Sequence, residues 1–195
     1  MNPHYQDGVM MKLIMENNQL TPRDTIDLLI LIMVFSGVFG FVYEELFYRI
    51  DLGTFVKRGS SFGPWIPIYF FGGAMFALLA YRFRDNPLLV FLVCVISSGI
   101  LEYVVGAVLY NVFHTRLWDY NTEIWNWGNV NGYVCLRSVL FFGISGLALI
   151  YIVMPLLTAF VKKYSSQALH TVCIGLLVLF FADIISYQVI THKAD

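Results

Sequence analysis

The sequence predicts an all-α integral membrane protein with about five transmembrane helices. The first observation is composition: 58% of the 195 residues are hydrophobic, 17% are aromatic and only 13% are charged. A soluble domain carries about 25% charged residues, so this chain has roughly half the usual supply. The second observation is that its apolar residues form runs of about 20, the length that crosses a bilayer as a helix. We therefore expect one transmembrane domain over residues 27–190.

The apolar runs follow one another through short polar connections, with one longer loop at 113–131. They cover approximately 27–48, 64–81, 88–112, 132–157 and 168–190. Just before the first run, Thr21 and Pro22 form a helix start signal, because threonine caps helices and proline suits the first helical position. Residues 1–26 are expected to form a cytoplasmic N-terminal segment, and 191–195 a C-terminal tail.

The distribution of lysine and arginine predicts the orientation, because cytoplasmic loops carry an excess of both. The face that bears the N-terminus holds Lys12, Arg23, Arg82, Arg84, Lys162 and Lys163, and the opposite face holds Arg49, Lys57, Arg58, Arg116 and Lys193. Arg58 and Arg116 lie in motif-like stretches where function can hold them, and without them the counts are six to three. The sequence therefore predicts a multi-pass protein of the plasma membrane with a cytoplasmic N-terminus.

Composition also excludes several classes of partner. The net charge is −1 and no basic cluster is large enough to follow a phosphate backbone, so we expect no nucleic-acid partner. Cys94, Cys135 and Cys173 each lie inside an apolar run without CxxC spacing, which favours buried thiols over a metal site. His114 has no second histidine near it, and we expect neither a metal nor a cofactor.

The first two apolar runs resemble the next two. The first run ends with Glu44-Glu45 and leads to "GPWIPIYFFGG", whereas the third carries Glu102 and leads to "NGYVCLRSVLFFGISG". Both second members have a polar start, an apolar stretch and Phe-Phe-Gly with a further glycine. This pattern indicates a tandem helical-hairpin repeat followed by one helix. The alternative is that unrelated membrane hairpins share glycine and phenylalanine.

Several ionisable residues fall near the face that carries the 49–63 and 113–131 connections. Glu44, Glu45, Glu102, Arg137 and Asp183 all lie within about 15 Å of that face at the helical rise per residue. A charge inside the membrane costs about 3 kcal/mol unless it is paired or hydrated. Because Arg137 is the one cation of this group, we expect it to pair with Glu102 or Asp183. The group forms either a structural ion pair or a cavity for a polar ligand, and four acids against one base favour the cavity.

Two connections add further candidates at this face. In the longer loop, Trp118, Tyr120, Trp125 and Trp127 suit the aromatic belt of the membrane interface, but Arg116, Asp119, Asn129 and Asn131 do not. A loop that folds back over the cavity mouth would use those polar residues to satisfy backbone groups. Before the second run, Pro64 and Pro67 are expected in the first helical turn and Trp65 at the interface. Arg58 is expected to pair with Glu44, Glu45 or Asp119.

The ordered blocks "RGSSFGPWIPIY", "LEYVVG", "FHTRLWDYN" and "NVNGYVCLR" resemble the signatures of the CmpB-type family of ABC-transporter type IV, permease-like membrane proteins. The resemblance covers residues 36–146. The positions that match the family pattern are Arg58, Gly59, Gly63, Pro64, Pro67, Ile68, Tyr69, Glu102, Tyr103, Gly106, Arg116, Trp118, Asp119, Tyr120, Asn129, Gly132, Cys135, Leu136 and Arg137. The chain departs from the pattern at Phe70, Tyr110 and Asn121, and the acid of the first helix aligns with either Glu44 or Glu45.

The resemblance implies a permease-like membrane subunit whose charged cavity binds a polar solute or a lipid headgroup. The candidate cavity residues are Glu44, Glu45, Arg58, Pro64, Trp65, Tyr69, Glu102, Tyr103, Arg116, Trp118, Asp119, Tyr120, Asn129, Arg137 and Asp183. This sequence has no GxxxxGK[ST] phosphate loop, so ATP-driven transport would need a separate ATPase subunit. That subunit is expected at Arg82-Phe83-Arg84 or Lys162-Lys163. Five helices are few for a complete path, which favours a homo-oligomer or a larger complex.

Two other functions remain open on the sequence. One is an intramembrane enzyme for a lipid-linked substrate, with Glu102 as general base and Arg58, Arg116 and Arg137 binding phosphate. No nucleophile with an adjacent base is readable, so the sequence favours a non-enzymatic role. The other is a membrane sensor or assembly factor in which the charged group is purely structural.

Overall fold

The computed structural model describes the backbone of residues 3–191 and the side chains of residues 11–191. Its helices are α1 Pro3–Asn18, α2 Pro22–Leu52, α3 Pro67–Ala80, α4 Pro87–Phe113, α5 Leu136–Ala148, α6 Met154–Tyr164 and α7 Gln167–Thr191. A 3₁₀ turn, Tyr81–Phe83, extends α3, and a π-helical turn, Leu149–Val153, joins α5 to α6. Apart from Thr191, the expected C-terminal tail at 191–195, with Lys193, lies outside the described residues.

Four helical rods are long and apolar enough to cross a membrane, and they span Pro22–Asp51, Pro87–Phe113, Leu136–Tyr164 and Gln167–Thr191. The remaining apolar helix, Pro67–Phe83, is shorter. Its rise gives it a length of about 27 Å, close to the hydrocarbon thickness of a bilayer. The protein is thus an all-α membrane protein of about five helices, as the composition and the apolar runs predicted.

The first membrane helix is longer than the apolar run that predicts it. Thr21 accepts a hydrogen bond from the backbone N–H of Asp24 at 3.1 Å, and Pro22 takes the first helical position. The helix therefore starts at the cap rather than at residue 27. It ends where Gly53 adopts a left-handed backbone conformation, with φ of 72°, beyond the expected end at residue 48. Hydrophobicity alone underestimated α2 at both ends because its terminal turns are polar.

Two expected helix starts are wrong by a few residues. α3 begins at Pro67, so Pro64 lies in the preceding connection and not in the first helical turn. α5 begins at Leu136 and not at residue 132, because Asn131 and Gly132 hold φ of 57° and 77°, which a helix cannot continue. Residues 132–135 therefore belong to the long loop.

Both helical hairpins close through a glycine that follows Phe-Phe. α2 packs mainly against α3, and α4 mainly against α5. A side chain at Gly73 of α3 would collide with Ser36 of α2, and one at Gly143 of α5 would collide with Phe91 of α4. A glycine thus allows close approach in each hairpin, but the two are not equivalent in sequence, because Gly143 corresponds to Gly72; the duplication stays a prediction.

The N-terminal segment forms a helix that packs on the membrane domain. Ile14 of α1 is fully buried in the main apolar core, and Asn18 donates a hydrogen bond to the Tyr81 hydroxyl at 2.8 Å. We call this end of the molecule the α1 face and the opposite end, with the 53–66 and 114–135 connections, the loop face. The α1 face also buries Asp27, whose carboxylate lies 2.6 Å from His170 Nδ1 of α7.

The fourth membrane rod changes neighbours along its length. Its first part, α5, packs against α4, whereas its last part, α6, packs against α2. The π-helical turn Leu149–Val153 lies at the change and ends two residues before Pro155, which has no backbone N–H to donate. One rod thus connects the loop face with the α1 face and contacts both hairpins.

Candidate functional site

A small polar cavity, which we call the chamber, lies near the loop face between α2, α3, α4 and α5. Its volume is about 40 Å³. The lining residues are Tyr43, Glu44, Phe47, Tyr48, Ile68, Tyr69, Glu102, Trp118, Tyr120, Glu123, Arg137, Ser138, Phe141 and Phe142. Three acids and one arginine therefore surround a space that is large enough for a water molecule or one polar group of a ligand.

Arg137, in the first turn of α5, pairs with a residue of the long loop. Its Nη2 lies 2.7 Å from Glu123 Oε2. The expected pairing with Glu102 or Asp183 is wrong, because the loop folds back and brings a closer carboxylate. The other Glu123 oxygen accepts a hydrogen bond from the Tyr48 hydroxyl, so α2, the loop and α5 meet at Glu123.

The Arg137 guanidinium is only partly used by these contacts. Its Nε and Nη1 atoms are buried and have no acceptor among the described residues. Aromatic rings flank it, since its Cζ lies 4.2 Å from the Phe47 ring centroid and 5.5 Å from that of Tyr120. A buried N–H group without an acceptor costs about 1–3 kcal/mol. Arg137 therefore has two donors available at the chamber for a group that accepts hydrogen bonds.

Glu102, in α4, is the most enclosed acid of the chamber. Only 4% of the residue is exposed. One carboxylate oxygen accepts from the Tyr120 hydroxyl, and the other accepts from Ser138 Oγ at 2.8 Å. Burial, together with the adjacent Glu102 carboxylate, raises the pKa of the Tyr120 hydroxyl well above its ordinary value, so this tyrosine stays a proton donor. The long loop thus supplies one wall of the chamber.

Arg58 fastens the connection between α2 and α3. Its Nε lies 3.2 Å from Glu44 Oε2, and its backbone N–H donates to Glu45 Oε1 at 3.2 Å. Its Nη2 donates to the Leu117 carbonyl at 3.0 Å, and its guanidinium lies over the Tyr48 ring. Two of the three expected carboxylates, Glu44 and Glu45, therefore contact Arg58. The third, Asp119, does not.

Asp183 has a different role from the one expected. Its Oδ1 accepts from the Phe62 N–H at 3.1 Å, and its Oδ2 accepts from the Gly63 N–H at 3.0 Å and from Trp65 Nε1 at 2.7 Å. It does not line the chamber. α7 uses this carboxylate to hold the start of α3, because the bend at residues 62–65 leaves backbone donors without helical partners.

The long loop is folded by its own polar residues. Arg116 pairs with Asp119 at 2.9 Å, and Asn129 Oδ1 accepts from the Gly132 N–H at 2.9 Å. Trp118 Nε1 donates to the Tyr133 carbonyl at 2.9 Å. The loop thereby turns back on itself and presents Trp118, together with Tyr120 and Glu123, to the chamber.

The structure separates the sequence candidates into two groups. Those that line the chamber are Glu44, Tyr69, Glu102, Trp118, Tyr120 and Arg137, whereas Glu45, Arg58, Pro64, Trp65, Tyr103, Arg116, Asp119, Asn129 and Asp183 do not. Sequence reasoning missed Glu123 and the hydroxyl groups of Tyr48 and Ser138. Each had a weak signal: Glu123 is an acid between tryptophans next to the membrane, Tyr48 lies one turn after Glu44, and Ser138 follows Arg137.

A larger cavity of about 490 Å³ adjoins the chamber at the loop face; we call it the groove. It lies between α3, α4 and α7, and its lining includes Glu44, Lys57, Arg58, Phe71, Arg116 and Ile184. Arg58 and Arg116 thus line the groove, whereas Arg137 lines the chamber. The three arginines do not converge on one phosphate, so the geometry gives no support to the enzyme hypothesis.

A third cavity, of about 510 Å³, lies at the α1 face; we call it the basic pocket. Arg84, directly after the 3₁₀ turn, and Lys162, in the last turn of α6, line it together with Asp85. Among the side chains of residues 11–191, no group of three or more His, Cys, Asp or Glu could hold a metal ion. The cavities therefore offer hydrogen-bonding and charged groups rather than metal ligands.

Comparison with known proteins gives one family and no individual relative. The CmpB-type family model, described as "Putative ABC-transporter type IV", matches residues 30–187, well beyond the 36–146 of the sequence resemblance. No curated protein and no solved structure matches the chain significantly. The matched range includes α2 from its third turn, the chamber, nearly all of the groove lining and most of α7. The chain therefore belongs to the CmpB-type ABC-transporter type IV family and is a transporter-like membrane protein.

Proposed function

We propose that this chain is the permease-like membrane subunit of an ABC transporter and that its chamber binds a polar solute or a lipid headgroup. The observation that carries the proposal is Arg137, whose Nε and Nη1 are buried beside the chamber without an acceptor among the described residues. A structural ion pair would be expected to satisfy its guanidinium, because unpaired buried donors are costly. A bound carboxylate, phosphate or hydroxyl oxygen would satisfy it here.

The neighbouring acids are already engaged by other donors. Both oxygens of Glu102 accept hydrogen bonds, from Tyr120 and Ser138, and both oxygens of Glu123 do so from Tyr48 and Arg137. The third acid, Glu44, pairs with Arg58, while two nitrogen atoms of Arg137 have no acceptor among the described residues. This asymmetry favours a ligand that brings an acceptor to Arg137, and charged donors such as arginine form the stronger hydrogen bonds.

The basic pocket is the proposed contact surface for an ATPase subunit. Arg84, just before α4, and Lys162, in the last turn of α6, line it with Asp85, and the further cations Arg82 and Lys163 lie close by in sequence. This arrangement joins the two expected docking stretches into one surface. Its net positive charge suits an acidic partner, and the positive-inside rule favours a cytoplasmic position for this surface and for the N-terminus. A second copy of the chain or a larger complex would complete the translocation path in the plasma membrane.

The experiment is purification of the tagged protein from its native membranes, followed by identification of associated ATPases and measurement of ATP hydrolysis in proteoliposomes of native polar lipids. We expect an ATPase subunit to co-purify and its activity to respond to this membrane subunit. Lys162→Gln with Lys163→Gln should reduce the recovery of the ATPase. Arg49→Gln, at the loop face, is the matched charge control and should leave that recovery unchanged.

A second comparison separates the chamber from the docking surface. Arg137→Lys, which keeps the positive charge beside Glu123, should retain ATPase association but abolish any stimulation of hydrolysis by the native lipid or solute extract, because the chamber loses the guanidinium donors. Recovery of a pure chain without an ATPase, together with no ATP-dependent uptake into vesicles, would contradict the proposal. Full stimulation in Arg137→Lys would contradict the assignment of the chamber.

A further inference from the structure

The groove has apolar walls that run into the membrane from the loop face. On α4 its wall consists of Leu101, Val105 and Leu109, which are four residues apart and so lie on one side of the helix. Eight residues of α-helix correspond to about 12 Å of depth. Phe71 of α3 and Ile184 of α7 complete the walls. The groove is therefore an apolar channel along the helices, open toward the interface.

The rim of the groove is positively charged. Lys57, Arg58 and Arg116 line it, and Glu44 is the one acid in its described lining, so three cations against one anion leave a net charge of +2. Arg58 pairs with that acid at 3.2 Å. Lys57 Nζ lies 5.1 Å from the Tyr187 ring centroid, and Arg116 pairs with the partly buried Asp119, which lies outside the lining. Lys57 and Arg116 thus retain donors for an anion.

We propose that the groove binds one anionic phospholipid, with its phosphate between Lys57 and Arg116 and one acyl chain along Leu101, Val105 and Leu109. A free inorganic anion would use the rim but leave the apolar walls without a partner, and a zwitterionic lipid would gain less from the cations. Basic groups at the membrane interface attract anionic headgroups, and lysine and arginine donate to phosphate oxygens. The inference rests on the proposed function only for its ligand class, a lipid headgroup, and it does not require transport.

The test is binding of phosphatidylglycerol and phosphatidylcholine with identical acyl chains to the purified full-length protein, measured by native mass spectrometry without ATP. The wild type should prefer phosphatidylglycerol. Lys57→Gln with Arg116→Gln should lower its affinity for phosphatidylglycerol about 25-fold and leave phosphatidylcholine binding unchanged, since each interfacial cation contributes roughly a fivefold effect. Lys162→Gln with Lys163→Gln removes the same amount of charge at the α1 face and should change the affinity for neither lipid.

A second arm distinguishes a lipid from a simple anion. Val105→Trp should fill the groove and reduce phosphatidylglycerol binding, whereas Val104→Trp, on the exposed side of α4, should not. Leu109→Trp, nearer the rim, gives an independent test of the groove if Val105→Trp fails to fold.

A retained preference for phosphatidylglycerol in the Lys57/Arg116 double variant would overturn the proposal. Wild-type binding of phosphatidylglycerol by the folded groove variants would overturn it as well. So would displacement of the bound lipid by millimolar inorganic phosphate, because the site would then be one for a simple anion. The binding assay contains no ATP, so a loss of lipid binding in it can be distinguished from a failure of ATP-driven transport.

Discussion

Asp183 and Arg137 are both ionisable residues of membrane helices at the loop face, but their surroundings differ. The Asp183 carboxylate accepts three hydrogen bonds, from the Phe62 and Gly63 N–H groups and from Trp65. Arg137 has one carboxylate partner, Glu123, and two buried nitrogen atoms without acceptors among the described residues. The protein supplies hydrogen-bonding partners for both oxygens of Asp183 but for only part of the Arg137 guanidinium.

This difference separates a structural charge from a charge that is available to a ligand. The energetic penalty of a charge in the membrane is similar for both residues, and hydrophobicity does not distinguish them. What distinguishes them is whether the protein supplies all of the hydrogen-bonding partners. Substitution at Asp183 should therefore act on stability, whereas substitution around Arg137 can act on function when the charge balance is preserved.

The largest effect is expected for Glu123→Ala. This change leaves the Arg137 guanidinium without its charged partner and Tyr48 without its acceptor, so the free energy of unfolding in detergent micelles should fall by about 4 kcal/mol. The double variant Glu123→Leu with Arg137→Met removes both charges and should recover to within about 1 kcal/mol of the wild type. The double variant should nevertheless fail to show stimulation of ATP hydrolysis by the native extract, because it lacks the Arg137 donors. If the double variant is as unstable as Glu123→Ala, the ion pair is not the source of the loss.

The next effect is expected for Asp183→Ala, which removes the acceptor of three donors and should lower the free energy of unfolding by about 3 kcal/mol. The start of α3 should also become sensitive to proteolysis in residues 58–66. Asp183→Asn keeps one acceptor oxygen and should show a smaller loss. An unchanged cleavage rate in Asp183→Ala would show that α7 does not hold this connection.

Tyr120 provides a test by pH. The pKa of its hydroxyl is raised in the folded protein by burial and by the Glu102 carboxylate, so its contribution to stability is fully present below the unfolded value of about 10 and is lost as pH rises through the folded value. The wild type should therefore lose more stability between about pH 10 and pH 11 than Tyr120→Phe does, as measured by the thermal midpoint. Identical slopes would contradict a buried, protonated Tyr120. At neutral pH, Tyr120→Phe should cost about 1.5 kcal/mol because Glu102 loses one donor.

The smallest effect is expected in the exposed part of the long loop. The side chains of Arg116 and Asp119 are 28% and 30% exposed, so Asp119→Asn should change the free energy of unfolding by only about 0.5 kcal/mol. Phosphatidylglycerol binding should be retained or slightly strengthened, because Arg116 gains freedom to contact the phosphate. A large loss of stability would show that this pair, like the Asp183 contacts, is structural.

Most of the fold could be predicted from the sequence, because the apolar runs record which segments lie in the bilayer. The expected range 168–190 differs from α7, Gln167–Thr191, by one residue at each end. Where bounds were wrong, the cause was local: Thr21 caps α2 before its apolar run begins, and Gly132 delays the start of α5. Such signals depend on the backbone conformation of single residues and not on hydrophobicity.

The candidate site was less predictable, because depth in the membrane does not determine which side of a helix a residue occupies. Glu102 and Arg137, which the sequence grouped by depth, do line one chamber. Asp183 has a similar depth but lies on the side of α7 that contacts Trp65. Glu123 was missed because its position follows from the fold of the long loop, which depends on contacts such as the one between Asn129 and Gly132.

The π-helical turn Leu149–Val153 sets the angular relation between the two ends of the molecule. It holds one residue more than the hydrogen-bonding pattern of an α-helix would, and each residue turns a helix by about 100°. Deleting one residue of this turn would shorten the rod by at most about 1.5 Å but rotate Lys162 and Lys163 by about 100° relative to Arg137. The rotational position of α6 relative to α5 thus links the direction of the basic pocket's lysines to that of the chamber's arginine.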